Sequence, residues 1–459
     1  MRKTLLGLCV LSALAAPAYA AKPALPQTEA QRIAALEAKV QVLEAELETM
    51  KSGQPAVAAQ RAASVATSTA ESEMDTLAAS PADLAASDLP VAAPAGSDTS
   101  SGSNPNVFNP AISIILNGSY AHHSLDPAAY ARSGFPLAGE AGPGAQGLSL
   151  GESEIVLSSN IDEKFYGQMT LSVSSENGQD HLGVEEAFID TTSLPNGFSL
   201  RAGRFLSNIG YLNNHHTHTD NFFDRPLAYQ AFLGSQYGDE GVQLRWVAPT
   251  AMFLEFGGEL LRGSNFPSGG AQHNGVGART LFAHAGGDIG TESSWLAGVS
   301  MLKTKAAGAD DGFSGDSTLY IADGTWKWAP QGNFKDGGIT LRSEYFRDDR
   351  NGAFADPAEP TLTSLWNGQR SGAYLEGVYR LNRTWDVGYR YDKLWADNSG
   401  PVASNFDPFR HSAELTWRNS EFSLVRLQLS HDKPNPDASD NAVTVQYQTS
   451  LGAHGAHKF

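Results

Sequence analysis

The chain has 459 residues, 50 acidic against 32 basic side chains and a net charge of −18 at pH 7. That surplus of negative charge argues against nucleic acid or an anionic membrane surface as a partner. Forty-six glycines and a single cysteine point to a large all-β chain with no disulfide framework.

The opening reads Met-Arg-Lys, then the apolar run Leu5–Ala16, then Ala18-Tyr19-Ala20. This is the pattern of a secretory signal peptide, residues 1–20, cleaved after Ala20. The apolar run is too short to be a spanning helix. Cys9 lies inside it, so the mature chain is expected to carry no thiol, which excludes zinc–thiolate sites and cysteine nucleophiles. From Ile33 the apolar positions Ile33, Leu36, Val40, Leu43, Leu47 and Met50 are spaced 3, 4, 3, 4, 3, which predicts a short coiled-coil helix within 21–51. A solitary amphipathic helix fits the same spacing, because so few heptads do not hold an association alone. Residues 52–106 are rich in Ala, Ser, Pro and Thr and poor in large apolar side chains, so a disordered linker is expected.

From residue 107 to 459 the pattern changes to short stretches of alternating apolar and polar residues. Strands are predicted at 111–122, 147–159, 164–175, 183–193, 198–207, 238–247, 252–262 and 278–288. Eight more are predicted at 293–304, 317–329, 338–347, 371–381, 384–395, 409–418, 421–431 and 442–451. The connections alternate between short ones, such as 160–163, 194–197, 248–251 and 289–292, and long ones rich in Gly, Asp, Asn and Pro. That parity belongs to a membrane barrel with turns at one end and loops at the other; a soluble sandwich has no reason to keep it. Phe165, Phe198, Trp246, Phe253, Trp295, Trp328, Trp385, Trp417 and Phe422 all lie near short connections, where an interfacial aromatic girdle would sit. The expected fold is all-β: a 16-stranded antiparallel transmembrane β-barrel, preceded by the coiled-coil helix and the flexible linker.

Signal peptide, coiled coil, linker and a barrel whose chain stops at Phe459 together resemble a Gram-negative outer-membrane porin. The layout is similar to the phosphate-selective porin O/P type, with Val184-Glu-Glu-Ala-Phe-Ile-Asp190 and Leu200-Arg-Ala-Gly-Arg-Phe205 carrying local likeness. The resemblance implies a homotrimer in the outer membrane, with the N-terminal region in the periplasm and passive diffusion of small hydrophilic solutes or ions. Phosphate selectivity is not carried over, because an anion-selective lumen calls for an excess of Lys and Arg that this chain lacks.

Alternation also writes out the lumen face, since neighbours of lipid-facing residues point inward. Gln243, Arg245, Glu255, Glu259, Arg342, Glu344, Glu376, Arg380, Asp386, Arg390, Asp392, Glu414, Arg418, Arg426 and Gln428 are expected inside. Both signs therefore line the wall, either as a transverse field or as pairs that stabilise it. The longest connection, 208–237, is expected to fold inward as the constriction, because its many aromatic and leucine side chains would not lie loose in water. Asp220, Asp224 and Arg225 would then sit near the narrowest point. His215, His216 and His218 on this loop could ligate zinc or copper, or simply form a polar eyelet. No cofactor is expected. The absence of a G-x-S-x-G motif argues against an enzyme. A metal-linked uptake channel and a structural anchor tied to the cell wall remain the alternatives to a general porin.

Overall fold

Period-two alternation converts most of the described chain into strand. The computed structural model describes residues 110–452, except 140, 177–178, 271–274, 308–310 and 357–358. The expected signal peptide, coiled coil, linker and terminal Phe459 lie outside the described residues. The first strands are β1 (Ala111–His123), β2 (Gly147–Leu150), β3 (Ser153–Asn160), β4 (Phe165–Glu176), β5 (Gln179–Thr191), β6 (Phe198–Leu206), β7 (Gly238–Val247) and β8 (Phe253–Leu261). They continue as β9 (Ala278–Ile289), β10 (Ser293–Ala307), β11 (Phe313–Trp328), β12 (Gly338–Asp356) and β13 (Glu359–Arg380). The last are β14 (Trp385–Trp395), β15 (Phe409–Ser420), β16 (Ser423–Lys433) and β17 (Asp440–Gly452).

Each strand from β3 on pairs antiparallel with the next, and β17 returns to β1, with Ile114 opposite Leu451, so the sheet closes on itself. Both β2 and β3 pair with β1 and form two halves of one stave; the 17 segments therefore make 16 staves. The expected continuous strand at 147–159 is thus broken, and the reason is local. The Ser153 hydroxyl accepts from the Asn117 N–H at 3.1 Å in place of a ladder carbonyl. A side chain at Gly151 would lie 2.8 Å from the Asn117 side-chain amide, so glycine lets the two strands approach without displacing Asn117.

The faces separate as alternation requires. On β7, Val242 and Leu244 are about half exposed at 46% and 49%, while Gln243 and Arg245 are buried at 1% and 3%. The same holds around the ring, so the exterior is an apolar belt and the interior is polar. That inversion relative to a soluble core identifies the outer surface as the one that meets lipid. At the short-turn end, cross-strand partners stack into a girdle: Phe198 on Trp246 at 6.1 Å, Trp246 on Phe256 at 5.9 Å, and Trp385 beside Trp417 at 6.4 Å. No helix among the described residues is long and apolar enough to cross a membrane.

One expectation is corrected at the long-loop end. Residues 348–370 look like a charged loop in sequence, yet β12 and β13 continue as a ladder that pairs Asp348 with Arg370 and Arg350 with Gly368. Asp348 and Arg350 point inward at alternate positions, and Arg350 and Arg370 share the Asp348 and Asp311 carboxylates, which extends the hairpin. Trp366, fully buried against Phe313 and Phe354, completes an apolar cap there.

Candidate functional site

The connection 207–237 between β6 and β7 folds into the barrel and binds its wall on every side. Asn213, fully buried, holds the two ends of the loop together. Its side-chain amide donates to the carbonyls of Ser207 and Tyr237 at 2.7 Å each, and its oxygen accepts from the Tyr237 N–H. Next to the clasp, the Asn208 N–H donates to Glu259 on β8 at 2.9 Å, and Ser207 also donates to that carboxylate. The Gly210 N–H donates to Ser300 on β10 at 3.1 Å. Gly210 adopts φ +65°, and a Cβ there would meet Glu344 at 2.5 Å, so both conformation and space call for glycine.

Beyond it the loop runs on along the wall, from β10 to β12 and then to β14 and β16. Glu344 on β12 accepts from the Tyr211 and Leu212 N–H groups and from the Tyr229 and Tyr374 hydroxyls. The Phe223 N–H donates to Gln428 on β16 at 2.8 Å, and Arg426 donates to the Asp220 carbonyl at 2.7 Å. Asp224 is held between Arg390 on β14 and Arg410 on β15, at 3.0 and 2.7 Å. Those two guanidiniums outweigh the effect of burial and hold the Asp224 carboxyl down at about 2. Arg225 pairs with Asp220 at 2.8 Å within the loop.

The loop then forms a short helix, α1 (Leu227–Leu233), all seven residues of which are buried. Pro226 starts it and supplies no N–H; the Asp392 carboxylate accepts the Leu227 N–H at 3.0 Å; Gly234 ends it at φ +61°. Its apolar side chains pack with Phe205, Leu302, Phe346, Tyr374 and Leu394 into a cluster inside the barrel. The first long connection, 124–146, also turns inward, placing Phe135 edge-on to Phe232 at 5.8 Å and Arg132 on Gln230 at 2.7 Å. Only 208–237 was expected to enter the lumen; the second plug element was missed because it is mostly Ala, Gly and Pro, with only a few large apolar side chains such as Tyr130 and Phe135 to mark it.

The lumen residues expected from alternation sit inside, mostly in pairs. Arg245 approaches Glu255, Arg342 holds Glu376 at 2.8 Å, and Arg390 holds Asp392 at 2.9 Å. Nearer the short-turn end Arg380 and Arg418, partly buried, share Asp386 at 2.9 and 2.7 Å. Glu414 is buried beside Thr416 at 2.5 Å. Several inward polar atoms, among them both Asp323 carboxylate oxygens, Ser412 Oγ and Gln448 Oε1, find no hydrogen-bond partner among the described residues. Buried polar groups of this kind call for water, which a lumen supplies.

The three loop histidines do not act together. His215 turns away: its Nδ1–H donates to the Tyr211 carbonyl at 2.7 Å and its ring stacks on Tyr211 at 4.8 Å. Burial, aided by Arg342, pushes its pKa down to about 3, so it is neutral. His216 and His218 instead converge with Glu154 of β3, one donor atom from each lying within 4.8 Å of the others. His218 Nδ1 is 2.7 Å and His216 Nδ1 3.3 Å from the Glu154 carboxylate. Glu185 reaches the same His216 nitrogen at 3.3 Å, and Glu186 the opposite nitrogen at 3.1 Å. A bulge makes this possible. Thr170 faces Glu186 and Leu171 faces Val184, which leaves Glu185 as the extra residue and lets successive glutamates both point inward. Burial opposes charge on His216, but Glu154 and Glu185 overcome it and hold its pKa well above the usual range. The consecutive Glu185-Glu186 pair was the available sequence signal, since strict alternation would put one of them into lipid.

No family model matches the chain. An uncharacterized protein of Aquifex aeolicus is 28% identical over 393 residues, covering 77% of this chain and 80% of that one. Among solved structures, OmpF of Salmonella typhi in complex with daunomycin aligns with a TM-score of 0.50 and 13% identity, over 75% of this chain and 99% of that one. The outer-membrane channel DcaP of Acinetobacter baumannii gives 0.48 at 11% identity, over 74% and 96%. An anion-selective porin from Comamonas acidovorans gives 0.47 at 11% identity, over 74% and 99%. At such identities the likeness is one of fold, and the fold is that of the sixteen-stranded outer-membrane porins.

Proposed function

We propose that the protein is an outer-membrane channel for small hydrophilic solutes, in which the loop 207–237 forms the constriction. The observation that carries this reading is a closed barrel, apolar outside and charged inside, with one loop hydrogen-bonded to opposite walls: Glu259 on one side, Arg390 and Gln428 on the other. A loop tied to both walls restricts the path between them to the gaps beside it. Those gaps are lined by both charge signs, which favours polar solutes over ions of one sign. The short turns would face the periplasm and the long loops the exterior, as in barrels of this kind.

The test is single-channel recording in planar bilayers. The full chain should show small, steady conductance steps. A variant with residues 211–235 replaced by a short Gly/Ser linker should conduct several-fold more while keeping its barrel circular-dichroism spectrum. Equal conductance in the two would remove the constriction; no steps from either would remove the channel. Deleting 21–106 tests the anchor alternative, since a channel that conducts unchanged leaves that region as a spacer or assembly aid.

A further inference from the structure

We infer that His216, His218, Glu154 and Glu185 form a binding site for a zinc-class divalent cation, which ties the constriction loop to the barrel wall. The locking role rests on the constriction reading; the binding itself does not.

Four features support the site. First, the donor chemistry is right: two imidazoles and carboxylates suit Zn²⁺ and its neighbours, whereas Mg²⁺ and Ca²⁺ prefer oxygen alone. Second, the spacing is close to what coordination needs. Tetrahedral zinc with bonds of about 2.0–2.1 Å separates its ligand atoms by roughly 3.4 Å. His216 Nδ1 lies 3.3 Å from both the Glu154 and the Glu185 oxygens, and His218 Nδ1 is 2.7 Å from Glu154. Small rotations therefore make room for an ion among them.

Third, the outer shell is already built. A histidine that gives one ring nitrogen to a metal commonly donates the other N–H to a carboxylate, which fixes its tautomer and orientation. His216 Nε2 lies 3.1 Å from Glu186, and Glu186 is itself held by the Leu206 N–H at 3.1 Å. Fourth, charge balances better with an ion present. Three glutamate carboxylates converge on two imidazoles in a largely buried setting, an excess of negative charge that a divalent cation would reduce. The two histidines belong to the loop and the glutamates to β3 and β5, so an ion here would cross-link the moving part to the fixed one.

The experiment uses the full chain, refolded in detergent and freed of metal by a chelator. Equilibrium dialysis against Zn²⁺ should find one equivalent that is lost in Glu185→Gln and in His218→Gln but kept in His215→Gln, with Mg²⁺ failing to compete. Glu185 lies at a bulge and is partly exposed, so its replacement should leave the barrel spectrum intact and keep the test interpretable. In bilayers, Zn²⁺ should lower or quieten the current of the parent protein and leave Glu185→Gln unaffected. No difference in bound zinc between parent and both variants would overturn the site. Zinc bound at this site without any effect on a measurable current would overturn the lock. Absence of any current, with zinc still bound, would instead count against the channel reading alone.

Discussion

At the scale of single residues, the loop depends on a few buried charged contacts. Asp224 sits between Arg390 and Arg410, and its pKa of about 2 lies below the usual aspartate value. A depressed carboxyl stabilises the folded loop at every pH above its unfolded value near 4, and that contribution fades as pH falls toward about 2. Acid should therefore loosen the loop. Channel current, or loop cleavage by an acid-tolerant protease, should rise between about pH 4 and 2 in the parent. Asp224→Asn should show the loosened behaviour already at neutral pH and a smaller acid step. An acid step of the same size in both proteins would place the sensitivity elsewhere, since other inward carboxylates titrate too.

At the scale of elements, α1 is too short to be stable alone and owes its existence to what it packs against. Phe232 is nearly fully buried, stacked on Phe346 at 6.0 Å and edge-on to Phe135. Phe232→Ala should cost the loop about 3–5 kcal/mol of docking, by lost burial and the cavity left behind. The staves should be unaffected, because none of their ladder bonds involves this ring. Limited chymotrypsin digestion would then cut after Phe222, Phe223 or Tyr229 in the variant well before it cuts the parent. An unchanged cleavage rate would mean that the polar ties to Glu344, Asp392 and Gln428 hold the loop unaided. Element scale is also where sequence reading met its limit. Parity of the connections and the inward face of each strand depend only on near neighbours, so they were legible. The hairpin extension through 348–370 was not, because Arg347-Asp-Asp-Arg350 has the composition of a loop and becomes strand only through pairs made across the hairpin.

At the scale of the whole molecule, the apolar belt and the polar interior predict opposite tolerance on adjacent positions. Leu244 faces out and Gln243 faces in. Val242→Arg, on the same outward face but further from the Trp246 girdle, should destabilise the inserted barrel by about 2–4 kcal/mol, as lipid-facing charges near the midplane do. Gln243→Ser should cost less and bear on conductance instead. Urea unfolding from lipid vesicles measures the first, and equal losses for the two variants would argue against a membrane-embedded belt. The candidate site shows the same division of information. His216 and His218 were visible as loop histidines, but their carboxylate partners lie far earlier in the chain, Glu154 64 residues before His218 and Glu186 30 before His216. His215, equally visible, is turned to its own backbone by the turn in which its N–H donates to the Leu212 carbonyl.

What the amino-acid order determined by itself was the wall: strand count, alternation of faces, the aromatic girdle and which charges point inward. These follow from a two-residue period that any short stretch carries within it. What only the tertiary structure decided was the contents: the path of the loop, the second inward connection, the bulge that aims Glu185, and the company each histidine keeps. Those depend on contacts between residues remote in sequence, and a closed cylinder brings together side chains that no local period relates.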